Sequence, residues 1–186
     1  MMIIETIFST LGETGLPNFA PMGLLWGRDS VTVRPFRNTN TYRNLLSAGY
    51  GVANVTDDVL AYARCALNGE VLPHFPARKV PGVVFEETCS WRELEVISQS
   101  DAEDRAEVQC RVVYSESRKD FLGFCRAANA VIEATILATR LDFYDRKIVA
   151  EKMAGYAETV DKTGGAAEKE ALRVVRDFIR KRGRND

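Results

Sequence analysis

The period of hydrophobic and polar positions changes once along this chain. Up to Asp120 apolar residues come in short runs or alternate with polar ones, as in strands; beyond it they recur every three to four residues, as in amphipathic helices. Ile3 to Thr10, dense in Ile, Thr and Phe, predicts a first strand, and Gly12 to Pro17 supply breakers. Phe19 to Trp26 predicts a second, ended by the turn Gly27-Arg28-Asp29-Ser30, and Val31 to Arg34 a third. Thr41 to Ala48 reads as a short helix with Leu45 and Leu46 inward and Gly49 as its stop. Val52 to Val55 is a further strand. Thr56, Asp57 and Asp58 then offer cap side chains to a helix through Leu60, Ala61, Ala63, Ala66 and Leu67.

Pro73, Pro76 and Pro81 exclude regular helix from the stretch LPHFPARKVPG. Two longer strands follow, Val83 to Val96, with a break near Cys89-Ser90, and Ala106 to Tyr114, separated by the acidic turn SQSDAEDR. Phe121 to Leu141 predicts a helix apolar around much of its circumference and therefore buried. Arg146 to Asp161 is amphipathic through Val149, Met153, Tyr156 and Val160. Thr163-Gly164-Gly165 breaks it, and Ala166 to Lys181 continues with Leu172, Val175 and Ile179 on one side. The pair forms an αα-hairpin. The expected architecture is a β-barrel plus α: strands closing on themselves over residues 1–120, then a three-helix region over 121–186 packed on the barrel or on a second subunit.

Composition narrows the class. A chain of 186 residues is one domain, or one with a helical appendage, at roughly 150 residues per domain. Its net charge of −1 argues against whole-molecule electrostatic binding of nucleic acid or membrane. Cys65, Cys89, Cys110 and Cys125 form no CxxC pair, and one histidine, His74, completes no common zinc site, so no metal is expected and four reduced thiols are. The N-terminal stretch carries Glu5 and no basic leader, and no apolar run approaches the ~18 residues of a membrane span. The expectation is a soluble, cytoplasmic protein.

Candidate chemistry centres on RPFRNTNTYRNLLSAGYGVANVTDD. Arg34 and Arg37 precede Thr39, Asn40, Thr41 and Tyr42 at a helix start, where guanidiniums, hydroxyls and free N–H groups suit a phosphate monoester. The same residues also read as a capped helix on a solvated turn. Asn18 to Gly23 is either a small-residue turn able to approach a flat polar ligand, with Met22 and Trp26 as soft apolar surface, or a tight start to a strand. Arg126, Glu133 and Arg140 share one stripe at heptad spacing, as a buried network or a solvated edge. His74 reads as a loop histidine rather than an acid–base group. The basic tail from Arg173 to Arg184 reads as dipole complementarity at a helix end rather than a nucleic-acid site. No GxSxG elbow, Walker A loop or GxGxxG is present.

Three segments together, N-x-A-P-M-G, R-P-F-x-x-T-x-T-Y-x-N-L and G-x-x-x-N-V-T-D-D, resemble the FMN-binding split-barrel proteins related to flavin reductases. These were formerly a domain of unknown function and are frequent where one-carbon metabolism is methanopterin-linked. Phe124 to Ala128, Ala130 to Ala134 and Ala138 to Arg140 resemble the same family's helical region. The resemblance implies an FMN-binding split β-barrel, a homodimer with the flavin near the subunit interface, and flavin-reductase-like oxidoreductase activity. It places Asn18, Ala20, Pro21 and Met22 beside the isoalloxazine ring. Arg34, Thr39, Thr41 and Tyr42 hold phosphate and ribityl chain, Asn54, Thr56 and Asp57 sit at the next strand end close to the flavin, and Arg126, on the helical motif, is expected among the cofactor-binding residues. Ala53 before Asn54, and Arg37-Asn38 before Thr39, depart from the family pattern. A nicotinamide or pterin would be the substrate; the alternative is a non-catalytic flavin- or pterin-binding scaffold of one-carbon metabolism.

Overall fold

The computed structural model describes residues 2–102 and 105–183, in two compact units: Met1–Thr56 with Val71–Asp120, and Asp57–Glu70 with Phe121–Asp186. In chain order the first unit holds β1 (Met2–Leu11), β2 (Pro17–Trp26), β3 (Ser30–Val33), α1 (Asn40–Ala48), β4 (Tyr50–Val55), β5 (His74–Pro76), β6 (Val83–Phe85), β7 (Ser90–Ala102) and β8 (Arg105–Ser117). Six of the strands close an antiparallel barrel in the order β1-β2-β3-β8-β7-β4, and β5 and β6 form a separate two-stranded sheet.

Strand alternation builds the barrel interior. Phe8, Leu24, Val31, Val33, Ala53, Leu94 and Val108 form one buried cluster, joined by Leu45 of α1. Thr6 to Thr10 of β1 are buried without interruption, because its outer side is covered as well: the Ser9 hydroxyl donates to Val83 O on β6 at 2.6 Å. A Cβ at Gly51 would stand 2.3 Å from Phe8 Cζ, so a side chain there would displace a fully buried ring. In the β7–β8 hairpin, register shifts at Glu93/Leu94 and Val96/Ser98 mark the bulges that let so long a ribbon curl.

The break expected near Cys89-Ser90 divides that stretch into β6 and β7. The acidic turn is shorter than expected: pairing continues through Asp101↔Ala106 and Ala102↔Arg105, and Glu103 and Asp104 lie outside the described residues.

The second unit holds α2 (Val59–Asn68), α3 (Arg126–Ala138), a 3-10 turn at Leu141–Phe143, α4 (Arg146–Thr163) and α5 (Ala166–Arg182). Its core is built from small residues that allow close helix approach, Ala63, Ala127, Ala134, Ala157 and Ala171, filled in by Val131, Val160, Leu172 and Val175. The helix α2 thus packs with elements far along the sequence, through Val59 and Ala63. The helix expected to begin at Phe121 begins at Arg126 instead. Gly123 sits at φ 97, outside helical space, and Leu122 and Phe124 are 91% and 97% exposed rather than core. Among the described residues no helix is long and apolar enough to cross a membrane.

Candidate functional site

The helix α1 begins at Asn40, one residue before the expected Thr41. Thr39 is the N-cap; its hydroxyl accepts from Tyr42 N at 3.3 Å and donates to Phe36 O at 2.6 Å. That leaves the N–H groups of Asn40 and Thr41 in the first turn without intrahelical acceptors, under the positive end of the helix. At the other end Gly49, at φ 75, returns its N–H to Leu45 O at 3.0 Å.

A small polar network joins this helix start to β2. The Asn18 amide donates to the Thr41 hydroxyl at 3.1 Å and to the Thr10 hydroxyl at 3.4 Å, and the Asn44 amide donates to Thr10 at 3.0 Å. Thr10, Thr41 and Asn44 are all buried. The Asn18–Thr41 hydrogen bond therefore joins two motifs singled out separately in the sequence, Asn18–Gly23 and Arg34–Tyr42. Thr10 and Asn44 were missed. The available signal was a polar residue at an inner helical position, three residues after Thr41, and a hydroxyl at the end of an apolar strand.

The strand β2 also has an open edge. It pairs with β1 along its whole length but with β3 only through Leu25 and Trp26. Among the described residues no strand pairs with its other edge from Asn18 to Leu24, and Pro21, which lacks an N–H, is at home on such an edge. Asn18, Ala20 and Met22 share one face of this strand and Pro21 the other. Met22 packs on the barrel core, while Asn18, Ala20, Pro21 and Met22 all stay partly accessible.

Arg34 directs Nε and Nη2 to one oxygen of Glu107 on β8, at 3.0 and 2.7 Å, with half of its side chain exposed. Among the described residues the remaining donors of its fork have no partner. Beside it the Arg105 guanidinium lies 4.2 Å from the Phe36 ring centre, holding the loop that carries Thr39. Tyr42 packs against the barrel core.

Other expected site residues are placed differently. Asn54 is fully buried and its amide is consumed internally. It donates to Ile7 O at 2.8 Å and Ser9 Oγ at 3.1 Å, and it accepts from Phe85 N at 2.9 Å. The Thr56 hydroxyl donates to Glu87 O at 3.1 Å. Asp57 and Arg126 belong to the helical unit. There Asp57 Oδ2 accepts from Leu122 N at 3.4 Å, and Asp58 caps α2 by accepting from Leu60 N and Ala61 N. Arg126, Glu133 and Arg140 are exposed in this chain, a solvated edge rather than a buried network. His74 is not in a loop as expected: it opens β5, paired with Phe85 of β6, with Nδ1 2.7 Å from Leu72 O and its ring against Phe19. Arg184, in the basic tail, is outside the described residues.

None of the four cysteines is bridged, and burial pushes the Cys65 and Cys110 thiols up to about 12. Among the described residues no group of His, Cys, Asp and Glu could hold a metal ion.

The sequence matches the family described as protein of unknown function DUF447, its N-terminal domain over residues 4–119 and a second portion over residues 125–177. The chain belongs to this family. An FMN-bound DUF447 protein from Methanosarcina mazei is 26% identical, with TM-score 0.83 over 95% of this chain and 94% of that one. A styrene monooxygenase flavin reductase from Pseudomonas putida is 12% identical, with TM-score 0.53 over 61% of this chain and 77% of that one. An FMN-binding protein from Thermus thermophilus is 20% identical, with TM-score 0.51 over 62% and 71%. The last two share the fold alone, the FMN-binding split barrel, while the DUF447 relative is matched over nearly the whole chain.

Proposed function

We propose that this DUF447 chain binds FMN on its barrel unit and acts as a cytoplasmic, flavin-reductase-like oxidoreductase, a homodimer with the flavin near the subunit interface. The observation that carries the reading is the likeness to the FMN-bound family member over almost the full length of both chains. The residues present fit the group in donor chemistry. A capped helix start with two N–H groups that lack intrahelical acceptors, the Thr41 hydroxyl and the donors of Arg34 left without a partner among the described residues suit a phosphate monoester. The open edge of β2 suits a flat ring with polar rims.

In this reading Arg34, Thr39, Thr41 and Tyr42 hold phosphate and ribityl chain, and Asn18, Ala20, Pro21 and Met22 border the ring. Asn54 and Thr56 brace the β4 end from behind, since their polar atoms are spent on Ile7, Ser9, Phe85 and Glu87. Asp57 and Arg126 are not assigned to this cradle. Bound FMN supplies hydride and electron transfer; the protein's part is to bind, orient and tune it. Backbone N–H groups on the open edge near Met22 and Gly23 would donate to the ring's polar rim and favour its anionic reduced form. No side chain here needs to act as a nucleophile.

Absorption spectroscopy after incubation with FMN and desalting tests the binding claim. A retained flavin spectrum near one per subunit is expected, and a colourless protein overturns it. Steady reoxidation cycles with a nicotinamide donor separate an oxidoreductase from a non-catalytic carrier, and sedimentation velocity tests the dimer.

A further inference from the structure

The helical unit carries a groove of its own, of about 580 Å³, between the start of α4, the end of α5 and the 3-10 turn. Its floor is apolar. Val149 and Met153 come from α4, Ile179 from α5 and Leu141 from the turn. Its rim is cationic, with Arg146 on α4 and Arg176, Arg180 and Arg182 on α5. The spacing is not accidental to one helix. Arg146, Val149 and Met153 fall on one face of α4, and Arg176, Ile179 and Arg180 on one face of α5, so both helices turn an apolar stripe edged by arginine toward the same space.

The charges are not fully used. Arg180 pairs with Asp177 at 3.0 Å and Arg182 with Asp142, the one carboxylate among the described residues that line the groove, at 2.7 Å. Among the described residues Arg146 and Arg176 have no ion pair or hydrogen-bond partner for their side chains. Two uncompensated guanidiniums beside an apolar floor form a net positive site, and guanidinium matches planar oxyanions in two-point fashion. The volume lies within the range of small-ligand pockets, which combine mostly apolar walls with a few polar groups. We propose that this groove binds a small organic anion, an apolar ring system bearing a carboxylate, sulfonate or phosphate, with the ring on Val149, Met153 and Ile179 and the acid between Arg146 and Arg176.

Fluorescence titration of the full chain with 8-anilinonaphthalene-1-sulfonate, a ring system with one sulfonate, tests this. N-phenyl-1-naphthylamine serves as its neutral counterpart. Saturable binding at one probe per chain is expected, weakening with salt and at least tenfold tighter than the neutral probe. The R146A/R176A double variant should lose at least tenfold in sulfonate affinity and leave neutral-probe binding unchanged. Ala150→Glu places a carboxylate in the groove from an exposed position and should do the same without touching the arginines. Arg173→Ala, on α5 but outside the groove, is the control. Equal sulfonate affinity in wild type and both groove variants overturns the proposal, as does equal affinity for the two probes. Co-sedimentation with anionic phosphatidylglycerol vesicles in place of saturable probe binding also overturns it, since the surface would then be a membrane contact.

Discussion

The Asn18 amide donates to the Thr41 hydroxyl at 3.1 Å, fastening the start of β2 to the first turn of α1 across 23 residues of sequence. A neutral hydrogen bond of this kind is worth about 0.5–1.5 kcal/mol net. Thr41→Val keeps the volume and removes the acceptor; Asn18→Ala removes the donor. Each should lower stability by about 1 kcal/mol, and the pair should be non-additive by a similar amount in a double-mutant cycle read by urea unfolding. Strict additivity would mean that the contact carries no energy and that the two motifs are merely neighbours.

Arg34 is held by Glu107 through two donors on one oxygen, which orients its fork without exhausting it. If that fork receives the flavin phosphate, Arg34→Ala should weaken FMN by about 1.5–3 kcal/mol, the range for a hydrogen bond to a charged group. Riboflavin has the same ring and no phosphate, so its affinity should not change. Equal losses for both ligands in equilibrium dialysis would remove Arg34 from the phosphate site and assign it to the fold.

Much of both units can be read from local chemistry, and the long-range contacts it does not reveal have a common cause. Thr39, Gly49 and Asp58 cap their helices as their positions suggest, because a cap depends only on residues within one turn. Contacts between distant residues had no such signature. Thr10 meets Asn44, Arg34 meets Glu107, and Gly51 is a glycine because Phe8 lies over it, all consequences of barrel closure rather than of local pattern. The start of α3 was misplaced for another reason. Phe121, Leu122 and Phe124 extend the apolar run, so periodicity counted them as helix, but Gly123 adopts φ 97 and turns the chain out of it.

Glu93 is fully buried and, among the described residues, its carboxylate oxygens are met by four N–H donors rather than by an ion pair. Arg78 N and Trp91 Nε1 reach Oε1 at 2.8 and 3.1 Å; Lys79 N and Val80 N reach Oε2 at 2.6 and 3.1 Å. The carboxylate thus pins the proline-framed loop that the sequence marked as irregular. Glu93→Gln puts an NH₂ against N–H donors whichever way it is turned. It should cost about 2–3 kcal/mol, seen as a lower urea midpoint at unchanged m-value. A loss under 0.5 kcal/mol would show that water replaces the carboxylate at little cost.

The buried thiols give the molecule a pH dependence with a definite sign. Burial in apolar surroundings raises Cys65 and Cys110 from 9.0 to about 12. In the unfolded chain both titrate near 9.0, so between that pH and about 12 the folded form binds more protons than the unfolded one. Stability falls wherever the folded state holds the extra protons, so their contribution is intact below pH 9 and drains away as pH rises toward 12. Cys65→Ala/Cys110→Ala should therefore flatten the alkaline limb of stability against pH, measured by urea midpoints from pH 8 to 11. The same protonated, buried state protects the thiols. At pH 8 iodoacetamide should label Cys125, which is partly accessible, and spare Cys65 and Cys110 until the chain unfolds. Labelling of either at the rate of Cys125 in folded protein, read by peptide mass mapping, would show that the barrel interior or the helical core opens far more readily than its packing implies.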